Sequence, residues 1–93
     1  MFHINQNFDG KVASIAFQTA TLPASVGVMA IGEFEFGTTQ KETMTVISGA
    51  LSVMLPGAGD WTTYTAGDHF IVGANETFGV KVATETAYLC TYE

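Results

Sequence analysis

Apolar residues recur at every second position through most of this chain, the spacing of strands that bury one face. The clearest run is Glu42 to Leu55, ETMTVISGALSVML. Met44 and Val46, then Leu51, Val53 and Leu55, mark one face of two short strands joined at Ser48-Gly49. This run reads as a central hairpin opened by Glu42.

The same period predicts the remaining elements. Residues 1–10 read as a polar leader ending in the turn pair Asp9-Gly10, and Lys11 to Gln18 as a first strand. Thr19 to Ala24, with Pro23, reads as a loop. Ser25 to Gly37 reads as one long strand, with Val26, Val28, Ala30, Phe34 and Phe36 on one face and a bulge or bend at Gly32. Trp61–Tyr64, His69–Val72, Thr77–Val82 and Ala87–Tyr92 are further strands, separated by turns at Pro56–Asp60, Ala66–Asp68 and Gly73–Glu76. Ten glycines and many β-branched residues interrupt every helical window. About eight strands and no helix predict an all-β chain, an antiparallel barrel or double-sheet jelly roll, because closure removes exposed edges.

Composition narrows the function classes. Ninety-three residues make one domain, 1–93, whose core is marginal at this size, and dimerisation is a common supplement. Charged residues are only 13% against 47% hydrophobic, so little surface is spared and some of it is expected to be interface. Nine acids face three lysines and no arginine, a net charge of −6. That excludes nucleic acid and anionic membranes as partners. A small phosphorylated ligand remains open, since backbone N–H groups and one lysine can hold an anion. The single cysteine, Cys90, has no intrachain partner and reads as a buried small hydrophobe. The first ten residues lack a signal-peptide pattern and no apolar run reaches about 20 residues, so the expected location is cytoplasmic.

The candidate chemistry centres on Glu42. It lies seven residues before Gly49, and that spacing resembles the end of the first motif of the cupin barrels. The two cupin histidine places before the glutamate hold Phe36 and Thr38, and the third histidine place, in the second motif, holds Phe78. The resemblance therefore implies a cupin barrel that has lost its metal. His3 reads as solvated, His69 as structural, and Glu33 with Glu35 as a solvent face. No serine, histidine and acid trio stands out. Glu42 reads either as a carboxylate in the barrel mouth or as a solvated strand-edge charge. Lys11 and Lys41 are the plausible anion partners or plain surface charges.

Longer stretches carry a closer resemblance. ASVGVM (Ala24–Met29), MTVISGAL (Met44–Leu51), YTAG (Tyr64–Gly67) and YLC (Tyr88–Cys90), with FDGKV near the start, resemble the small single-domain cupin family of pyrimidine/purine nucleoside phosphorylases. The resemblance implies a dimeric, metal-free barrel without a cofactor. It implies phosphorolysis of purine and pyrimidine nucleosides by inorganic phosphate, giving ribose 1-phosphate and free base. Glu42 would then hold ribose hydroxyls, Phe36 and Phe78 would wall the base, and Thr38 would hydrogen-bond phosphate or sugar. Family members carry arginines where this chain has Pro23 and Thr91, which leaves Lys11 and backbone amides for the phosphate. A non-catalytic cupin that binds a small metabolite and a structural dimer without a ligand are the alternatives.

Overall fold

The computed structural model describes residues 1–93 and contains ten strands and no helix. They are β1 (His3–Asn7), β2 (Val12–Gln18), β3 (Pro23–Met29), β4 (Gly32–Gly37), β5 (Glu42–Ser48), β6 (Ala50–Met54), β7 (Thr62–Thr65), β8 (His69–Val72), β9 (Thr77–Val82) and β10 (Thr86–Tyr92). Every pairing is antiparallel. One sheet has the order β1-β2-β3-β10-β5-β8 and the other β4-β9-β6-β7. The two sheets pack as a jelly roll and are not joined by hydrogen bonds into a closed barrel. Met44, Val46, Phe70 and Val72 of the larger sheet form one core with Leu51, Val53, Phe78 and Val80 of the smaller. With no helix present, none is long and apolar enough to cross a membrane.

Four local readings of the sequence are corrected. The run from Glu42 to Leu55 is not a hairpin. β5 pairs with β10 and β8, whereas β6 pairs with β7 and β9 in the opposite sheet. Gly49, at φ 93°, carries the chain from one sheet to the other. A Cβ there would overlap Thr86 Oγ1 and lie 2.9 Å from the Glu85 carbonyl oxygen. The buried Thr86 hydroxyl accepts the Ala50 N–H at 3.1 Å and donates to the Thr84 carbonyl at 2.8 Å, taking the place of hairpin hydrogen bonds.

The run from Ser25 to Gly37 is likewise two strands. β3 and β4 belong to different sheets, and the chain crosses between them at Ala30-Ile31, where Ala30 N–H donates to the Lys11 carbonyl at 2.7 Å. The crossing resets the inward parity. Val26 and Val28 face outward at 39% and 55% exposure, and Met29 is buried instead, while Phe34 points into the core as expected. Pro23 is the first residue of β3 rather than part of a loop, a place where a missing N–H is tolerated. The polar leader contains β1, an edge strand held by β2 alone.

Candidate functional site

A cavity of about 220 Å³ opens between the sheets. Its larger-sheet wall follows from register, because directly paired residues of antiparallel strands project to the same face. One row across that wall is Asn7, Val12 and Met29, and beside it runs the row Asn5, Ser14, Gly27 and Tyr88. The next is Ser25, Cys90 and Met44, and the last pairs Tyr92 with Glu42. All but Gly27 line the cavity. Gly27 makes room for a neighbour: a Cβ there would lie 2.7 Å from Tyr88 Oη and 2.6 Å from the Ala13 carbonyl oxygen. The smaller sheet contributes Phe36 and Phe78, paired in register, with ring centroids 5.5 Å apart at 28°.

Three of the residues read from the sequence therefore meet: Glu42, Phe36 and Phe78. Thr38 does not line the cavity. It is buried, donating to the Gly73 carbonyl at 2.6 Å and accepting the Glu76 N–H at 3.0 Å, so it fastens the turn after β8. Lys11 borders a separate hollow with Ser48, Glu85 and Thr86. Lys41 pairs with Glu93 at 3.4 Å, and Lys81 lies 4.2 Å over the Trp61 ring. No basic side chain reaches the cavity, whose polar groups are hydroxyls, amides, one thiol and one carboxylate.

Burial sets the protonation of those groups. Loss of water raises the Glu42 carboxyl above its ordinary 4.5, and the Cys90 thiol, 3.5 Å from Glu42 Oε1, opposes part of that rise as a donor. Burial first, and then the Glu42 charge, push the Cys90 thiol up to about 12. Burial also lifts Tyr92 to about 12, against the Ser25 hydroxyl 2.8 Å away, and raises Tyr88, which faces Ser14. Both phenols and the thiol therefore keep their protons and act as donors.

The sign of the resulting pH dependence is fixed. The folded chain retains protons that an unfolded cysteine or tyrosine releases above its ordinary 9.0 or 10.0. Stability from these groups is complete below about pH 9 and declines from there towards pH 12. The melting temperature should fall across that window, and Cys90→Ala with Tyr92→Phe should flatten part of the fall. Native Cys90 should resist iodoacetamide at pH 8, whereas alkylation at the rate of a free thiol would contradict this placement.

Phe36, Thr38 and Phe78 stand at the three histidine places, and no three His, Cys, Asp or Glu side chains converge anywhere in the fold. Sequence reasoning missed Asn5, Asn7, Ser14, Ser25, Tyr88 and Tyr92 as cavity residues. A usable signal was the inward alternation of Tyr88, Cys90 and Tyr92, since buried phenols need hydrogen-bonding partners.

The family profile for pyrimidine/purine nucleoside phosphorylase matches residues 2–92. Proteins of that name from Hahella chejuensis and Alcanivorax borkumensis are 63% and 62% identical over 92 residues, covering 99% of this chain and 99% and 98% of theirs. The crystal structure of a protein of unknown function from Vibrio parahaemolyticus superposes with a TM-score of 0.96 at 45% identity, covering 100% of this chain and 99% of that one. An RmlC-like cupin from Shewanella frigidimarina, 20% identical, has a TM-score of 0.77 over 99% of this chain and 83% of its own, which shows the shared cupin fold. With a family match from one end of the chain to the other, this chain belongs to the pyrimidine/purine nucleoside phosphorylases.

Proposed function

We propose that this protein cleaves purine and pyrimidine nucleosides with inorganic phosphate, releasing the free base and ribose 1-phosphate. The observation that carries the reading is Glu42, a half-buried carboxylate that shares one cavity with the paired rings of Phe36 and Phe78. The base rests on the aromatic wall by apolar contact and stacking, which tolerates both ring systems. Glu42 accepts hydrogen bonds from ribose hydroxyls, and its charge faces the oxocarbenium character that develops at C1′. A phosphate oxygen attacks C1′ as the C1′–N bond breaks, and that electron pair goes to the base nitrogen. The proton that hydrogen phosphate loses on becoming the ester is the one the base gains. Tyr88, Tyr92, Ser14 and Ser25 supply neutral donors for phosphate oxygens.

No step uses a metal or an organic cofactor, so turnover should survive a chelator. A reduced, buried Cys90 suits the cytoplasm. Base release from uridine and inosine, followed with and without phosphate, tests the reaction. The lack of any basic side chain in the cavity favours one other reading, a metabolite-binding module. That reading predicts a higher melting temperature with nucleoside and no turnover.

The active form is proposed as a homodimer. One row across the outer face of the six-stranded sheet is Ile4, Ile15, Val26, Leu89, Thr45 and His69, set by register, with no carboxylate or lysine in it. Val28, Ile47 and Ile71 add to this exposed apolar surface. A second copy would cover it. Light scattering should give twice the chain mass, and Val26→Glu should yield a monomer. A wild-type monomer at micromolar concentration would refute the arrangement.

A further inference from the structure

Strand β1 is the part of the cavity wall that the reaction scheme leaves unused. Asn5 and Asn7 alternate onto one face of it and both line the cavity. Neither side-chain amide enters any hydrogen bond within the protein. Each amide, half-buried at Asn5 and exposed at the cavity rim at Asn7, has one acceptor and two donors free for a molecule in the cavity.

The turn that follows β1 brings an aromatic ring to the same wall. Phe8 takes a left-handed conformation, φ 54°, that is rare for a bulky side chain, and Asp9 follows at φ 56°. The gain is the seating of the Phe8 ring, 5.0 Å from Phe34 and 5.4 Å edge-on to Phe36 between centroids. Phe36 lines the cavity and stacks on Phe78. Asn7 is therefore one residue from a ring that clamps the wall assigned to the base.

We propose that Asn5 and Asn7 read the hydrogen-bonding edge of the nucleobase, an inference that rests on a nucleoside occupying this cavity. A base lying on Phe36 and Phe78 turns apolar faces to the rings and leaves a rim of carbonyl, amino and ring-nitrogen groups. A carboxylate could only accept from that rim and a lysine could only donate. A side-chain amide can turn over to meet either the keto pattern of uracil and hypoxanthine or the amino pattern of cytosine and adenine. The two asparagines thereby admit both patterns, and β1 sets base preference.

The test replaces the adaptable amide with a group that only accepts. Asn5→Asp and Asn7→Asp are assayed on uridine, cytidine, inosine and adenosine at saturating phosphate. The expected result at one or both positions is a rise of at least about tenfold in the cytidine-to-uridine and adenosine-to-inosine ratios of kcat/KM. A uniform loss over all four substrates would assign the amides to sugar or phosphate and overturn the proposal, as would unchanged ratios. Should an aspartate variant fail to fold, Asn→Ser at that position must still shift the ratios by about threefold. If wild-type protein releases no base, the phosphorolysis reading fails separately. The same ratios are then read as nucleoside dissociation constants by calorimetry, with the same expectation.

Discussion

Glu42→Gln is expected to lower kcat/KM for phosphate-dependent base release by about one to two decades, with the melting temperature unchanged or higher. The lost interaction is a charge-assisted hydrogen bond to the reacting sugar, worth roughly 1.5–3 kcal/mol. The stability half follows from burial. Removal from water raises the Glu42 carboxyl above 4.5, so the folded chain holds its proton more tightly than the unfolded chain. Stability from the neutral carboxyl is present at low pH and lost as pH rises through the folded value. At neutral pH the ionised group is a cost that glutamine removes, the usual opposition between stability and function at an active site. The wild-type rate should also show an acid limb from Glu42, displaced upward from the ordinary 4.5 and missing from the variant. A variant as fast as wild type would place Glu42 outside the site.

Gly27→Ala should damage both fold and activity through two contacts. The new methyl would lie 2.6 Å from the Ala13 carbonyl oxygen on β2 and 2.8 Å from Tyr88 Cζ, and real Cβ atoms do not approach so closely. The β2–β3 pairing must shift or the Tyr88 phenol must move into the cavity. Overpacking of this kind costs typically about 1–3 kcal/mol. In a domain of this size each 1 kcal/mol lowers the melting temperature by roughly 4–8 °C. A displaced phenol also takes space from the substrate, so kcat/KM should fall further than the stability loss explains. Normal melting and normal turnover together would mean that Tyr88 does not lie over Gly27.

How much of this was legible beforehand depended on where the information lies in the chain. Strands with one face in the core, such as Thr77–Val82, are visible in their own alternation. The crossing at Ser48-Gly49 is not, because a glycine turn between two alternating runs is also what a hairpin looks like. The difference is made by Thr86, distant in sequence, whose hydroxyl occupies the turn. The same local view joined β3 to β4. β1 is hidden because HINQN carries its inward pattern in polar residues, whereas apolar alternation is what marks a strand. Motif spacing located Glu42, Phe36 and Phe78, which share the cavity. It could not foresee that the Thr38 hydroxyl is consumed by the Gly73–Glu76 turn, or that Lys11 borders another hollow. Those outcomes depend on which loop packs against which strand end.

Phosphorus NMR of purified protein with uridine and inorganic phosphate tests the central claim most directly. The account predicts a growing ribose 1-phosphate resonance, matched mole for mole by free uracil and unchanged by a chelator. Uracil release accompanied by free ribose, or no product under conditions where nucleoside binding is demonstrated, would contradict it.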